Sequence, residues 1–267
     1  MSIAFTLVAT DGVVLVADGR TTSVPIGNDP DAAPKTDVAI KVTVAPYGLP
    51  FAIAYTGRGG IDGTPMNDIV GGFLLSFTDT ALAALPLGDL LANLREHLHQ
   101  LTAAVPAMYQ DGTSEPVHLL VAGHRSGSED LEVWKSVGPK PEQVSRVDNH
   151  LVFCGLPVAQ SDGQSAEDRV LVLFDDEYRV RQSGVWHVED DYYLLRDMTM
   201  AQVVEYAVAK LSADINEDPE PYTGDGIGGV WRLVSVSPTG ATNVDCFHIG
   251  PMLVGDARPA GSPCDES

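Results

Sequence analysis

The sequence predicts an α+β fold in which antiparallel β-sheets and helices occupy separate stretches of the chain. Strand-like runs come first, and two helices, further strands, one helix and final strands follow in that order. A doubly wound sheet would instead require strands and helices to alternate. In addition, Asp11-Gly12 lies between two apolar runs, a pattern typical of a β-hairpin. With 44% apolar residues and 267 residues in all, the chain can bury a substantial core.

The amino-terminal part is predicted to form four strands. They are expected at residues 3–9, 13–17, 40–44 and 51–55. The run 13–17 is continuously apolar, which indicates a strand covered on both faces. The polar segment 21–36 contains prolines and predicts a long loop.

Two helices are predicted next. Thr64 is a candidate N-cap with Pro65 at the first helical position, and this helix should run to about residue 84. A second helix is expected over residues 87–104, where leucines recur at spacings of three and four. Pro106 ends that pattern.

The second half continues with strands, one helix and a final pair of strands. The strands are expected at residues 117–122, 131–137, 150–154, 170–174, 230–236 and 242–249. The helix should cover residues 199–211, with Thr199 as its cap. Neither an internal repeat nor a linker is visible. We therefore expect a single domain over residues 1–254 and a mobile tail over residues 255–267.

The charge limits the classes of partner. The chain carries 16 Lys and Arg against 37 Asp and Glu, a net charge of −21. Binding to nucleic acid or to an anionic membrane needs clustered cations, so we expect neither. The three cysteines lie far apart, which favours a reducing compartment. No apolar run reaches the roughly 18 residues of a membrane span, and the amino terminus lacks a basic signal sequence, so we expect a cytoplasmic protein.

The amino end contains a candidate nucleophile. Removal of Met1 would leave Ser2 with a free α-amino group, whose ordinary pKa is about 7.7–8.0. Such an amine can take the proton of its own hydroxyl, although ordinary processing without a catalytic role is the alternative. A two-residue turn at Asp11-Gly12 would make Ser2 face Thr21. It would place Asp18 on the opposite face unless a bulge near Gly19 turned it round.

At this point the chain resembles proteasome β-type subunits of the N-terminal-nucleophile (Ntn) hydrolase superfamily. The similarity lies in the run Val-Val-Leu-Val-Ala-Asp-Gly-Arg-Thr-Thr at 13–22, in Lys41-Val42 and in Thr56-Gly57. It covers about residues 2–160 and 197–250. The resemblance implies a four-layer αββα sandwich, with two antiparallel sheets between helix layers, and an insertion at about residues 159–195.

The resemblance also implies roles for individual residues. The catalytic set would be Ser2, Asp18, Lys41, Gly57 and Asp225, and the substrate-binding set Arg20, Thr22 and Gly59. The Lys41 ammonium would lower the pKa of the nucleophile by its opposing charge. The Gly57 amide would donate to the oxyanion, and the main chains of Thr22 and Gly59 would pair with a substrate strand. A purely structural role for Asp18, ordering its neighbouring loop, remains the alternative.

The function implied is that of a proteasome-like endopeptidase or amide hydrolase, assembled as a homo-oligomeric ring and acting on peptide or unfolded-protein substrates without a cofactor. Two alternatives stay open. Leu156 and Ile227 stand where the family has serines, which favours a non-catalytic structural subunit. The insertion could instead shape the pocket of a stand-alone amidase. We expect no metal site, because His97 and His99 are two residues apart and point to different faces of their helix.

Overall fold

The structure is a computed structural model. It describes residues 3–22, 34–36, 38–57, 59–104, 117–125, 127–136, 142–144, 151–154, 198–217, 227–248 and 262–263. The predicted strand at 170–174 and the predicted insertion at 159–195 lie outside the described residues.

Two antiparallel sheets contain most of the strands in the described part of the chain. The strands are β1 Ala4–Val8, β2 Val13–Ala17, β3 Thr21–Thr22, β4 Pro34–Thr36, β5 Val42–Val44, β6 Phe51–Thr56, β7 Gly60–Ile61, β8 Thr64–Pro65, β9 His118–His124, β10 Leu131–Ser136, β11 Glu142–Val144, β12 Leu151–Cys154, β13 Val230–Ser237, β14 Gly240–His248 and β15 Ser262–Pro263. The six-stranded sheet has the order β12-β1-β2-β13-β14-β15, and the five-stranded sheet the order β11-β10-β9-β6-β5. The short pairs β3-β4 and β7-β8 stand apart from them.

The helices are α1 Met66–Leu75, α2 Asp79–Ala84, α3 Leu87–Ala104 and α4 Met200–Glu217, with a short 3-10 helix at Pro46–Gly48. They fall between groups of strands rather than between single strands. The predicted α+β class with antiparallel sheets is therefore confirmed. No helix in the described part of the chain combines the length and the apolar character that a membrane span needs.

Strand β2 is buried on both of its faces, as its unbroken apolar run predicted. Val14 and Val16 pack in one cluster with Val203 and Ala207 of α4. The alternate residues of β2 pack in a second cluster, which includes side chains of β5, β6 and β9. The opposite faces of β6 and β9 lie in a third cluster with the leucines of α3. Successive side chains of a strand point to opposite faces, so one strand contributes to two clusters.

The helix predicted up to residue 84 is two helices, which corrects the prediction. The Ser76 hydroxyl donates to the Phe73 carbonyl at 2.6 Å where α1 ends. The Thr78 hydroxyl then accepts the Ala81 amide at 3.3 Å and caps α2. Serine and threonine compete in this way for backbone groups, and they end and start helices. The predicted Thr64 cap is also wrong, because Thr64–Pro65 forms β8 and Pro65 occupies the N-cap position.

Several boundaries differ from the predicted ones. The segment 21–36, predicted as a loop, contains β3 and β4, which pair with each other. Helix α4 continues to Glu217, beyond the predicted end at 211. The predicted Thr199 cap is confirmed, because Thr199 and Gln202 exchange hydrogen bonds between side chain and main chain in both directions. Within the tail, β15 pairs with β14.

Candidate active site

The register of the first hairpin places Asp18 opposite Ile3. Ala4 pairs with Ala17 and Val8 pairs with Val13, so the numbers of paired residues sum to 21 and not to the predicted 23. The Asp18 amide continues this pairing by donating to the Ile3 carbonyl at 3.2 Å. The predicted turn position at Asp11-Gly12 and its register are therefore wrong, because the Ala9 amide donates to the Gly12 carbonyl at 2.9 Å and the chain turns at Thr10 and Asp11. A slip of two residues keeps every side chain on its face, so Asp18 stays on the face that the predicted register gave it, and its carboxylate contacts the main chain of Ile3.

Contacts at and just before the start of the distant helix α4 hold the hairpin connection. The Thr10 amide donates to the Met198 carbonyl at 2.9 Å. The Asp11 carboxylate accepts the Met200 amide at 2.7 Å at the start of α4. A side chain on Gly12 would collide with the Val236 carbonyl, because its Cβ would lie 2.2 Å from that oxygen. The connection is therefore shaped by the helix and the neighbouring strand as well as by its own residues.

The Asp18 carboxylate lies at the end of β2 and is almost fully buried. Its Oδ1 accepts the Ile3 amide at 2.9 Å and the Lys41 ammonium at 2.9 Å. Its Oδ2 accepts the amides of Arg20 at 3.2 Å and Gly228 at 3.3 Å. Four donors match the acceptor capacity of a carboxylate. The Ile3 amide belongs to the peptide bond that follows residue 2, so Asp18 contacts the main chain directly beside the candidate nucleophile's position in the sequence.

Lys41 lies immediately before β5 and is 3% exposed. Besides Asp18, its ammonium donates to the Arg20 carbonyl at 2.5 Å. Its own carbonyl accepts the Tyr55 amide at 3.0 Å, and the Tyr55 hydroxyl donates to the neighbouring Ile40 carbonyl. Burial and then the negative charge of Asp68 raise the pKa of Tyr55 well above its usual value, so this hydroxyl keeps its proton. Tyr55 therefore binds the backbone carbonyls of Ile40 and Lys41 and fixes the main chain at Lys41.

Arg20 has a fully buried side chain. Its Nη1 donates to the Ile227 carbonyl at 3.4 Å. Gly228 packs so closely against the guanidinium that an added Cβ would lie 2.6 Å from Cζ of Arg20. Gly228 has a φ of +155°, which L side chains rarely adopt. The guanidinium thus packs against the main chain of Ile227 and Gly228, just before the start of β13.

The remaining predicted residues are placed as follows. Gly57 follows β6 with a φ of +89°, in the left-handed region that glycine adopts readily. The Gly59 carbonyl accepts the Met66 amide at 2.9 Å, and Thr22 pairs with Pro34 between β3 and β4. Ser2, Asp225 and Leu156 lie outside the described residues. Ile227 is buried in the cluster that includes α4.

The structure brings Lys41 to Asp18 and Arg20, which lie 23 and 21 residues before it in the sequence. Sequence reasoning missed the contributions of Gly228 and Tyr55. The Gly228-Gly229 pair before β13 was a signal for a close approach of the backbone, whereas nothing in the sequence marked the Tyr55 hydroxyl. Among the described residues, no group of three or more His, Cys, Asp or Glu side chains could hold a metal ion.

Comparison with known proteins shows a similarity to solved structures. No family model matches the chain, and no curated protein matches it. Among solved structures, the chain is similar to the helical assembly of the Anbu complex from Pseudomonas aeruginosa, with 14% sequence identity and a TM-score of 0.57. The alignment covers 91% of this chain and 86% of that chain.

These comparisons overturn the resemblance to proteasome β-type subunits. No family model supports it, and the solved neighbour belongs to the proteasome-like but distinct Anbu family. The run 13–22 that carried the resemblance has a physical explanation in the fold, because β2 is buried on both faces and Asp18 collects donors from several segments. At 14% identity, the similarity shows that this chain shares the fold of the Anbu subunit, and no more.

Proposed function

We propose that the chain is an amide hydrolase whose nucleophile is Ser2, exposed by removal of Met1. The observation that carries this proposal is the buried Asp18–Lys41 ion pair, with 2.9 Å between Oδ1 and Nζ. The same Oδ1 binds the Ile3 amide, in the peptide bond directly after residue 2. A paired carboxylate and ammonium beside a chain terminus are the groups that tune an N-terminal nucleophile.

The proposed reaction has two stages. The Ser2 hydroxyl oxygen forms a bond to the substrate carbonyl carbon while its proton passes to the α-amino group. The carbon–nitrogen bond then breaks, and the leaving amine takes up that proton. Water attacks the resulting ester with the α-amine as base, releasing the acid and restoring the hydroxyl.

Each of the other residues has a distinct part in this proposal. The positive charge of Lys41 favours the deprotonated nucleophile, and Asp18 fixes the position of that charge. The Gly57 amide stabilises the oxyanion, for which a comparable donor contributes roughly 2.7–4 kcal/mol. Thr22 and Gly59 bind the substrate main chain, and Asp225 belongs to the catalytic set. Because its side chain is buried, Arg20 acts as a positioning residue for Asp18 and Lys41 and not through its guanidinium on the substrate.

The arrangement of the core supports a four-layer αββα sandwich for this enzyme. One apolar cluster joins α4 to the six-stranded sheet, and another joins α1 and α3 to the five-stranded sheet. A third cluster contains alternate residues of strands from both sheets. We also infer that the chain assembles with copies of itself, since its solved neighbour forms a helical assembly. Sedimentation of the full chain at micromolar concentration should show a mass above 28.3 kDa, and a monomer would contradict this inference.

Covalent labelling tests the proposed nucleophile. After incubation with a peptide epoxyketone, the intact mass should show loss of Met1 and gain of one adduct. Ser2→Ala should abolish the adduct, whereas Ser2→Thr, which keeps a hydroxyl at the same position, should retain it. Equal labelling of Ser2→Ala, or a mature chain that still begins with Met1, would refute the proposal.

A second candidate is a structural subunit that assembles without cleaving. Its supporting observation is that three of the four donors to Asp18 are main-chain amides, which is what a purely structural carboxylate would also collect. An assembled, stably folded chain that takes up no epoxyketone would favour this candidate. A labelled monomer would instead favour a stand-alone amidase for small substrates.

A further inference from the structure

A cavity of about 590 Å³ lies between α1, α3 and the β7–β8 turn. Its volume falls within the range of roughly 300–1,000 Å³ that is usual for small-molecule sites. None of Asp18, Lys41 or Arg20 lines it. The reaction proposed above therefore does not account for this space.

The lining combines an apolar wall with negative charge. Ile69, Phe73 and Leu101 supply apolar surface, and the two carboxylates Asp62 and Asp68 lie at exposed positions on the same cavity. No lysine or arginine is found among the described residues that line it. A ligand that complements this lining therefore carries a positive charge and an apolar body.

The aromatic side chains in the wall of the cavity indicate that the apolar part of the ligand is a flat ring. The Phe73 ring lies 5.3 Å from the His97 ring, at an interplanar angle of 33°. It also makes an edge contact with Phe77, at 5.3 Å and 75°. Aromatic faces arranged in this way favour a further ring, in offset or edge contact.

Gly72 leaves the wall of the cavity open on the side of α1. It lies inside this helix and lines the cavity, and a Cβ built on it would meet nothing within 4 Å. A large side chain at this position would therefore project beside the wall of the cavity.

From this combination we propose that the cavity binds a small organic cation with an aromatic body, an arylalkylamine. The ring lies against Phe73, and the ammonium lies near Asp62 and Asp68. The proposal is independent of the hydrolase activity, and it can hold or fail whatever the labelling of Ser2 shows.

Calorimetric titration of the full chain with 1-naphthylmethylamine tests the proposal, with 1-naphthylmethanol as the neutral probe of matched shape. The amine should bind about three- to tenfold more tightly, since each exposed carboxylate contributes modestly. Salt at 0.15 M screens the general attraction of a chain with net charge −21 for any cation. Equal affinity for the two probes would overturn the proposal.

Matched variants locate the binding. Gly72→Leu should reduce amine affinity at least about tenfold by filling the cavity. Gly71→Leu changes the adjacent helical position outside the lining, where a Cβ also meets nothing within 4 Å, and should leave affinity within about twofold. If both variants bind like the wild type, the proposed site is wrong. Urea unfolding of each variant checks that the fold is kept.

Charge variants test the two carboxylates independently of the volume of the cavity. Asp62→Asn with Asp68→Asn should remove the preference for the amine and leave naphthylmethanol binding unchanged. Asparagine suits position 62, where φ is +49°. Glu96→Gln removes an exposed charge on α3 outside the lining and should leave the preference intact. A preference that survives the double variant would contradict the proposal.

Discussion

Replacing Lys41 with methionine leaves the buried Asp18 carboxylate without its ammonium partner. Lys41 is 3% exposed and Asp18 1% exposed, so water cannot readily replace the lost charge. Methionine preserves most of the apolar stem, so the change removes a charge and leaves little empty space. The Ile3, Arg20 and Gly228 amides remain as donors to the carboxylate.

The expected loss follows from this geometry. Breaking a buried ion pair by removing one partner costs about 3–5 kcal/mol, because the remaining charge is uncompensated. The three remaining amide donors offset part of that cost. We therefore expect Lys41→Met to lower the free energy of unfolding by about 3 kcal/mol. Domains of ordinary stability unfold with a free energy of only about 5–15 kcal/mol, so the loss is large enough to measure easily.

Urea unfolding of the full chain, followed by far-UV circular dichroism, gives the free energy of unfolding. The control is Arg125→Met, which breaks the 2.7 Å pair with Glu132; Arg125 is 62% exposed and Glu132 11% exposed. Water reaches this pair at Arg125, and the Trp134 indole N–H still donates to the other Glu132 oxygen at 2.9 Å, so the control should lose less than Lys41→Met. Combining Lys41→Met with Asp18→Asn should cost at least about 1 kcal/mol less than the sum of the single changes.

Two results would refute this reasoning. Lys41→Met could cost no more than the Arg125→Met control, which would mean that the Asp18 charge is not dependent on its partner. Alternatively, the double variant could lose the full sum of the single changes, which would mean that the two charges do not interact. In either case the ion pair would no longer support a tuned nucleophile.

Three further predictions follow from the structure. Because burial raises the pKa of Tyr55, the folded state holds that proton more tightly than the unfolded state; stability should be complete below about pH 10 and fall as the pH rises above it. Tyr55→Phe should flatten this fall in urea unfolding at pH 9 to 11, and an unchanged slope would contradict the assignment. Gly228→Ala should cost about 1–3 kcal/mol more than Gly63→Ala. Both glycines have a positive φ, so both changes strain the backbone, but only the Cβ at position 228 clashes with Arg20; equal losses would refute the clash. Thr78→Ala should cost about 1 kcal/mol by removing the cap of α2, whereas a neutral result would show that the cap is dispensable.

The parts of the fold that were predicted correctly are those that residues close together in the sequence determine. The unbroken apolar run of β2 predicted burial on both faces, and the leucine spacing of α3 predicted its buried stripe. Thr199 capped α4 as its residue type indicates. Such signals depend only on neighbours along the chain. The break between α1 and α2 was missed, because serine and threonine are compatible with a helix interior as well as with its ends.

Local sequence patterns also predicted a candidate site at the amino end and Asp18. Contacts between distant segments decided how the residues of this site are arranged. The hairpin register depends on Thr10 and Asp11 meeting the start of α4, far along the chain. A two-residue slip keeps the same faces, so the hydrophobic pattern alone could not distinguish the two registers.

The sequence by itself determined most of the longer strands and helices and the residue types of a candidate site. Only the tertiary structure decided that Asp18 faces Ile3, that Lys41 reaches its carboxylate and that Arg20 turns inward against Gly228. The physical reason is that a side-chain contact across the fold is set by the packing of whole sheets, and no spacing along one segment of the chain encodes it.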